Sequence, residues 1–431
     1  FGGLVPPSVS ERLHRQARES FDRLIDLAIA ERVAFVVLAG DIYDDADKEA
    51  ASQARFHRGL EYLYEEKIPV FMVHGTHDPA VGSYAPLRPL PPNVTVFGPD
   101  EVQVREVAVP GVESGAVTVA GISHASSTDA RNLVALFSRL APLTRRPTVG
   151  VVHADVAGAG ERADVVSCTE SDVAAAKVHY LALGHRHRRA VNRTATGCWW
   201  AYPGNLQGRS LAPFEQGPKG ALIVPLLDNG TGPVGEPRFV ACDSVRFATL
   251  DVDVTHVRTV DSALSALLDR ITYAVYESEG RPLVVRGRFV GMSHAHDQLW
   301  RQRHQLLAAA RADLGAEEGA MGGLLGEGIL VRVDVESTPV MSRERLAERG
   351  DLLAEVLGHV DDLRDGRGLE ALLDLLARSS RPLGTQARHP TEIAAMLEVD
   401  ETDADALRRS LIERVELLIS NSLTTGEAGS L

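Results

Sequence analysis

The chain has 431 residues, 44% of them hydrophobic and 24% charged, a composition ordinary for a soluble globular protein and a length that suggests two or three domains. No run of eighteen uncharged apolar residues occurs, so nothing reads as a bilayer span, and the N-terminus lacks the basic, apolar and small-residue pattern of a signal peptide. The net charge of −14 sits badly with nucleic-acid binding in bulk, but a local basic groove matters more than the total.

Residues 8–32 place Leu13, Phe21, Leu24, Leu27 and Ala28 at helical spacing, which predicts one amphipathic helix. VAFVVLAGD follows, a continuous apolar run stopped by Gly-Asp, and reads as a buried strand with a functional loop at its end. A second helix is expected over about 48–66, then a second buried strand, IPVFMVHG. This β-α-β rhythm implies an α/β sheet covered by helices. Short strands with Pro and Gly turns are expected over 94–122 and a helix over 128–140. TVGVVHAD (148–155) and VHYLALGHRH (178–187) are two further strands with polar ends, and WWAYPGNLQ and GALIVPL look like closing strands.

From about 245 the rhythm changes: strand FATLDVDV, helix 260–276, strand RPLVVRGRFVG, helix 294–313 and strand GILVRVDVE, a small separate α/β domain. The glycine-rich stretch 315–328 lacks the GxxxxGK[ST] spacing of a phosphate-cradling loop. Helices are expected at 343–358, 367–378 and 402–421. The domain reading is 1–240, 245–338 and 340–431. Three widely spaced cysteines, Cys168, Cys198 and Cys242, argue against a disulfide framework and a zinc ribbon, and point to a reducing cytosol.

Four strand ends deliver polar side chains, the place where open sheets gather their sites. Asp41 stands in GDIYD, His77 and Asp78 in GTHD, His153 in VVHAD, and His185 and His187 in GHRH. A lone histidine at a strand end is more often a hydrogen-bonded structural residue. Four such motifs, each behind an apolar strand and a glycine, carry the signal together. Phosphodiester hydrolysis needs an activated water, neutralised phosphoryl charge and help for the leaving oxygen. Two divalent metals held by a bridging carboxylate and several imidazoles supply all three.

In these motifs the sequence resembles the calcineurin-like metallophosphoesterases, whose motifs run D-x-H, G-D-x-x-D, G-N-H-D/E, H and G-H-x-H. The resemblance covers roughly residues 1–225, and YPGNLQGR (202–209) followed by GPKG points to the branch of bacterial DNA-repair exonucleases typified by SbcD and the YhaO group. It implies a four-layer sandwich, with helices flanking two packed mixed sheets, then a small α/β capping domain and a C-terminal helical region that binds an SMC-like ATPase. It further implies a cytoplasmic, nucleoid-associated DNA nuclease with two metal ions, of which Mn²⁺ is the expected kind. It implies DNA ends as substrate, and a homodimer formed through 8–32 with 49–66.

Carried over by position, Asp41 would bridge both metals, His153 and His185 would bind the second, and His187 the first. His77, oriented by Asp78, would touch the scissile phosphate as general acid. Tyr43 and Asp44 fit the motif in supporting roles. Two departures stand out. Thr76 replaces the family's metal-binding Asn, which weakens the second metal or brings water between. The D-x-H motif has no counterpart, and FGGLVPP resembles the segment after it, so the expectation is a sequence that starts late.

Arg186, Arg188, Arg189, Arg193 and Arg209 cluster around the GHRH and LQGR motifs as expected phosphate contacts. His294 and His296 mimic a metal pair, but Ser293 there reads as a helix N-cap and both histidines as structural. His74 reads as lining the site and His124 as structural, while of Trp199 and Trp200, neighbours in a strand, at least one belongs to the core. Leu352, Leu353, Val356, Leu357, Leu369, Leu372, Leu373, Leu375 and Leu376 give the C-terminal helices enough apolar surface to dock on a partner's coiled coil. Two rival readings remain: a phosphatase or cyclic-nucleotide phosphodiesterase of the same fold, and a degenerate scaffold that holds DNA ends without cutting them.

Overall fold

The computed structural model describes residues 7–43, 50–81, 88–109, 115–157, 167–226, 234–314, 327–340 and 362. Asp44, most of the glycine-rich stretch and the predicted C-terminal helices lie outside them. In chain order the elements are α1 (Pro7–Ala17), α2 (Glu19–Ala30), β1 (Val36–Ala39), α3 (Ala50–Glu65), β2 (Val70–Val73), β3 (Val94–Val96), β4 (Gln103–Ala108), β5 (Ala116–Ile122), a 3-10 turn (Val134–Arg139), β6 (Thr148–His153), β7 (Asp155–Ala157), β8 (Ser167–Thr169), α4 (Glu170–Ala175), β9 (Tyr180–Gly184), β10 (Ala190–Arg193), β11 (Trp199–Tyr202), a second 3-10 turn (Pro213–Glu215), β12 (Gly220–Ile223) and β13 (Arg238–Ala241). Then come β14 (Arg246–Asp253), α5 (Val260–Glu277), β15 (Leu283–Val290), β16 (Met292–Ser293), α6 (His296–Asp313), β17 (Gly328–Val335) and β18 (Thr338–Pro339).

Two compact units divide the chain. The first comprises Phe1–Thr249 with Ala274–Val285 and Met321–Val331; the second comprises Leu250–Tyr273, Arg286–Ala320 and Arg332–Leu431. In the first, β1, β2 and β3 form a parallel sheet, and β10-β11-β9-β6-β5-β4 form a mixed one whose central strands β11, β9, β6 and β5 run parallel. Strand alternation sorts the side chains into layers. Val36, Leu38, Val70 and Met72 face α2 and α3, while Val37, Phe71 and Val73 face the larger sheet. Val149, Val151, Tyr180 and Ala182 meet them from that sheet, and Val152, Leu181 and Leu183 turn to the other side, against Phe137 and Val173. The order is therefore helix, sheet, sheet, helix: the α/β four-layer sandwich with two packed sheets.

β14-β15-β17 form a three-stranded sheet in that order. In the second unit Gly287 of β15 lies so close under Leu267 of α5 that a Cβ there would stand 2.7 Å from a leucine methyl. No helix among the described residues is long and apolar enough to cross a membrane.

Local readings need correction at three places. The expected helix over 8–32 is two helices broken at Arg18, whose carbonyl accepts from Arg55 Nη1 at 3.0 Å. Leu13 packs with Val245, Phe247, Val284 and Val331, whereas Ile25 and Ala28 pack with Phe56 and Leu60, and one straight helix cannot serve both clusters. The helix expected over 128–140 is only the 3-10 turn, because Asp129 holds Arg131 in a side-chain loop just upstream. Ser293 is not an N-cap: it lies in β16, its hydroxyl donates to Val257 O at 2.8 Å, and α6 starts after Ala295. Trp200 is buried in the outer core and Trp199 packs in the inner one with Arg193 over its ring.

Candidate metal centre

β1, β2, β6 and β9 are parallel within their sheets, so each presents its polar tail at its C-terminal end. Glycines let these tails approach. A Cβ on Gly184 would stand 1.8 Å from Ala39 O, one on Gly75 would stand 2.1 Å from Asp41 Oδ1, and one on Gly40 would stand 2.7 Å from His153 Nδ1. Asp41 and His185 themselves sit at φ 50° and φ 94°, a left-handed backbone that side chains avoid unless the surroundings impose it.

His153 is fully buried, and its Nδ1–H donates to Ala39 O at 2.9 Å. That bond fixes the tautomer and leaves the Nε2 lone pair to face Asp41 Oδ2 at 3.2 Å. No hydrogen bond satisfies this buried nitrogen. Two lone-pair carriers aimed at each other in a buried place call for a cation between them, a proton or a metal. The His185 ring stands nearly perpendicular to that of His153, centroids 5.2 Å apart. Asp41 Oδ1 accepts the His77 N–H at 3.0 Å. Burial works to raise the Asp41 carboxyl, but a proton shared with His153, one of the two cations that could stand there, and the His77 N–H outweigh it and bring it to about 2.

Asp78 fastens the loops together. Its carboxylate accepts the N–H groups of Asp41 at 3.1 Å, Ile42 at 2.9 Å and Gly75 at 2.8 Å, joining the ends of β1 and β2. Burial pushes this carboxyl up from its ordinary range. His77 is exposed and Thr76 half-buried in the same loop. His124 is structural in its described contacts: it is fully buried, and its Nε2–H donates to His153 O at 2.7 Å.

On the fourth loop, His187 Nδ1–H donates to Glu215 Oε1 at 2.7 Å, so its Nε2 is turned outward. Glu215 is buried, and its other oxygen accepts from Asn205 Nδ2 at 2.7 Å and Arg209 N at 2.9 Å. Burial alone would raise this acid, yet the His187 bond and the two other donors hold it at about 2. The Lys219 ammonium donates to the carbonyls of His187, at 2.9 Å, and Phe214. YPGNLQGR and GPKG are thus the mounting of His187. Glu215 escaped the sequence reading because it lies between those motifs, and an isolated acid two residues before GPKG carries no spacing signal.

The structure brings Asp41, His153 and His185 together, and Asp41, His77, His185 and His187 line one cavity of about 940 Å³ with Asn205 and Arg209. Arg188, Arg189 and Arg209 are exposed, and Arg189 lies over the Phe239 ring at 4.1 Å. Arg186 turns inward: it pairs with Asp155, donates to Val156 O at 2.8 Å and lies over Tyr202. Among the described residues no group of three or more His, Cys, Asp and Glu side chains is disposed to hold an ion. The unsatisfied Nε2 of His153, the carboxylate facing it and the backing of His153 and His187 by acceptors nevertheless fit a divalent cation in donor type.

Residues 13–189 match the family model of calcineurin-like phosphoesterases, and residues 247–333 match the model of the metallophosphoesterase YhaO middle domain. The chain is 26% identical over 283 residues to an uncharacterized metallophosphoesterase YhaO of Bacillus subtilis (strain 168), which is 65% of this chain and 66% of that protein. It is 26% identical over 216 residues to the DNA double-strand break repair protein Mre11 of Sulfurisphaera tokodaii, covering 48% of this chain and 52% of that protein. With Mre11 of Sulfolobus acidocaldarius the identity is 21% over 267 residues, 61% of this chain and 67% of the relative. The chain thus spans less than two thirds of the length of the first two.

Proposed function

We propose, from a chain that carries a calcineurin-like metallophosphoesterase domain and a YhaO-type middle domain, that this protein is a metal-dependent nuclease acting on DNA ends. The observation that carries the reading is the buried, unsatisfied His153 Nε2 facing Asp41 Oδ2 at 3.2 Å, with His185 beside it. Calcineurin-like phosphoesterases use divalent metal ions. Asp41, His153 and His185 would hold one ion, with Thr76 alongside, and Asp41 with His187 would serve a second; Mn²⁺ is the proposed kind. Bound there, such ions polarise the phosphoryl oxygens and lower the pKa of water.

The chain's own residues supply the rest. His153 and His187 have their Nε2 atoms aimed at the site because the opposite nitrogens donate to Ala39 O and Glu215. Asp78 keeps the Asp41 and His77 loops in register. His77, exposed at the mouth, gives its proton to the leaving oxygen. Arg188, Arg189 and Arg209 grip flanking phosphates, and Arg186 steadies the loop between His185 and His187. The protein works as a homodimer in the cytoplasm with an SMC-like ATPase that binds residues 340–431.

The test is hydrolysis of linear double-stranded DNA with Mn²⁺ by the full chain beside Asp41→Ala and Thr76→Asn variants. Cutting that disappears in Asp41→Ala and rises in Thr76→Asn is expected. No cutting by any of the three, with the ATPase present, overturns the nuclease reading. A second reading is favoured by Thr76, which stands where the resembling family has a metal-binding Asn: a scaffold that holds DNA ends without hydrolysis. It predicts undiminished DNA binding in Asp41→Ala and no calorimetric signal with Mn²⁺.

A further inference from the structure

Phe214 is an apolar ring left 51% exposed beside the metal centre. Its ring lies edge-on to His187, centroids 6.1 Å apart at 62°. Its backbone is tied down on both sides. Glu215 N donates to Ala212 O at 2.8 Å, closing the 3-10 turn Pro213–Glu215, and Pro213 opens that turn. The buried Lys219 ammonium joins the carbonyls of Phe214 and His187, and Glu215, the next residue, holds the His187 ring itself. Backbone and ring contacts therefore fix Phe214 to the same residue that would hold an ion. About half of the residue is open to solvent.

We infer that Phe214 is a specificity residue that stacks on an unpaired nucleobase next to the scissile phosphodiester. This rests on the nuclease reading and deepens it. An aromatic face takes any base, because every base has a π-face, but only a base with an open face is available. Inside a duplex each base is stacked on both sides; at a frayed end or in a single strand it is not. The rigid ring loses little rotamer freedom on binding, so the contact goes into affinity. The site would thus select DNA whose end is opened next to the cleaved bond, through one side chain and without reading sequence.

The experiment compares single-stranded oligonucleotides bearing all their bases with strands of equal length built from abasic sugars, in Mn²⁺, for wild type, Phe214→Ala and Phe214→Trp. Wild type is expected to show a KM for the base-bearing strand about 5- to 150-fold below that for the abasic one. In Phe214→Ala that ratio falls towards one, and Phe214→Trp restores it. Circular dichroism melts show whether Phe214→Ala remains folded, and the Trp variant carries the test where it does not. Dissociation constants from fluorescence anisotropy read the same ratio without cleavage. A protein that binds with the ratio but does not cut therefore sinks the nuclease reading and leaves Phe214 in place. Wild type that binds or cuts both strands alike, or binds neither, overturns the inference, as does a Phe214→Ala protein that keeps the wild-type ratio.

Discussion

Glu215 shows how a residue outside every motif governs one inside. Its carboxylate fixes the His187 tautomer and at once satisfies Asn205 and the Arg209 N–H. Removing the partner that orients a metal-binding histidine typically costs 10- to 100-fold in metal affinity. Glu215→Ala is expected to raise the Mn²⁺ dissociation constant by about that factor in calorimetric titration; an unchanged constant would mean that His187 binds no ion. His185 poses the opposite balance. Its φ of 94° costs about 1–3 kcal/mol in a residue with a side chain, and glycine takes that backbone without penalty. His185→Gly is therefore expected to raise the melting temperature while abolishing the proposed hydrolysis. A lower melting temperature would show that ring packing against His153 outweighs the strain.

The elements that build the site were legible for a simple reason. Apolar runs ending in Gly-Asp, His-Gly or Gly-His give both the strand and its polar tail, and the glycines at 40, 75 and 184 mark where the tails press together. The two-helix break at Arg18 was not legible, because the apolar period runs through it and only the separate partners of Leu13 and Ile25 force the change. The loop after β5 was misread as helix for a related reason: Asp129 spends its carboxylate on Arg131 Nε at 2.8 Å, Arg131 Nη2 at 2.6 Å and Ala125 N at 3.1 Å. That loop carries His124, which holds the His153 carbonyl. The hydrogen bond with Arg131 keeps the Asp129 carboxyl well below the usual range. A depressed carboxylate contributes its stability in full above its unfolded pKa of about 3.9 and loses it as pH falls through the folded value. The melting-temperature gap between wild type and Asp129→Asn is thus expected to be widest near neutrality and to close below about pH 4. A gap that stays constant down to acid pH would remove the ion pair as its cause.

For the whole molecule, a formal charge of −14 must be reconciled with the proposed polyanionic substrate. The proposed resolution is locality: Arg209 lines the cavity together with Asp41, His77, His185 and His187, the exposed Arg188 and Arg189 follow His187 directly in the chain, and ions bound there would add positive charge at the same place. Counterion release gives this a number, because each phosphate neutralised adds about −0.9 to the slope of log K against log salt on duplex DNA. A few local contacts against a repelling remainder predict a shallow slope, about −3 or less steep, measured by anisotropy with a metal that does not support cutting. Each of Arg188→Ala, Arg189→Ala and Arg209→Ala should flatten it by about one while weakening all sequences alike. Arg186→Ala, whose guanidinium is turned to Asp155 and Val156, should leave the slope where it was and lower the melting temperature instead. A slope indifferent to all three exposed arginines would place the DNA on some other face of the protein, and the charge around this cavity would then serve a smaller phosphoester.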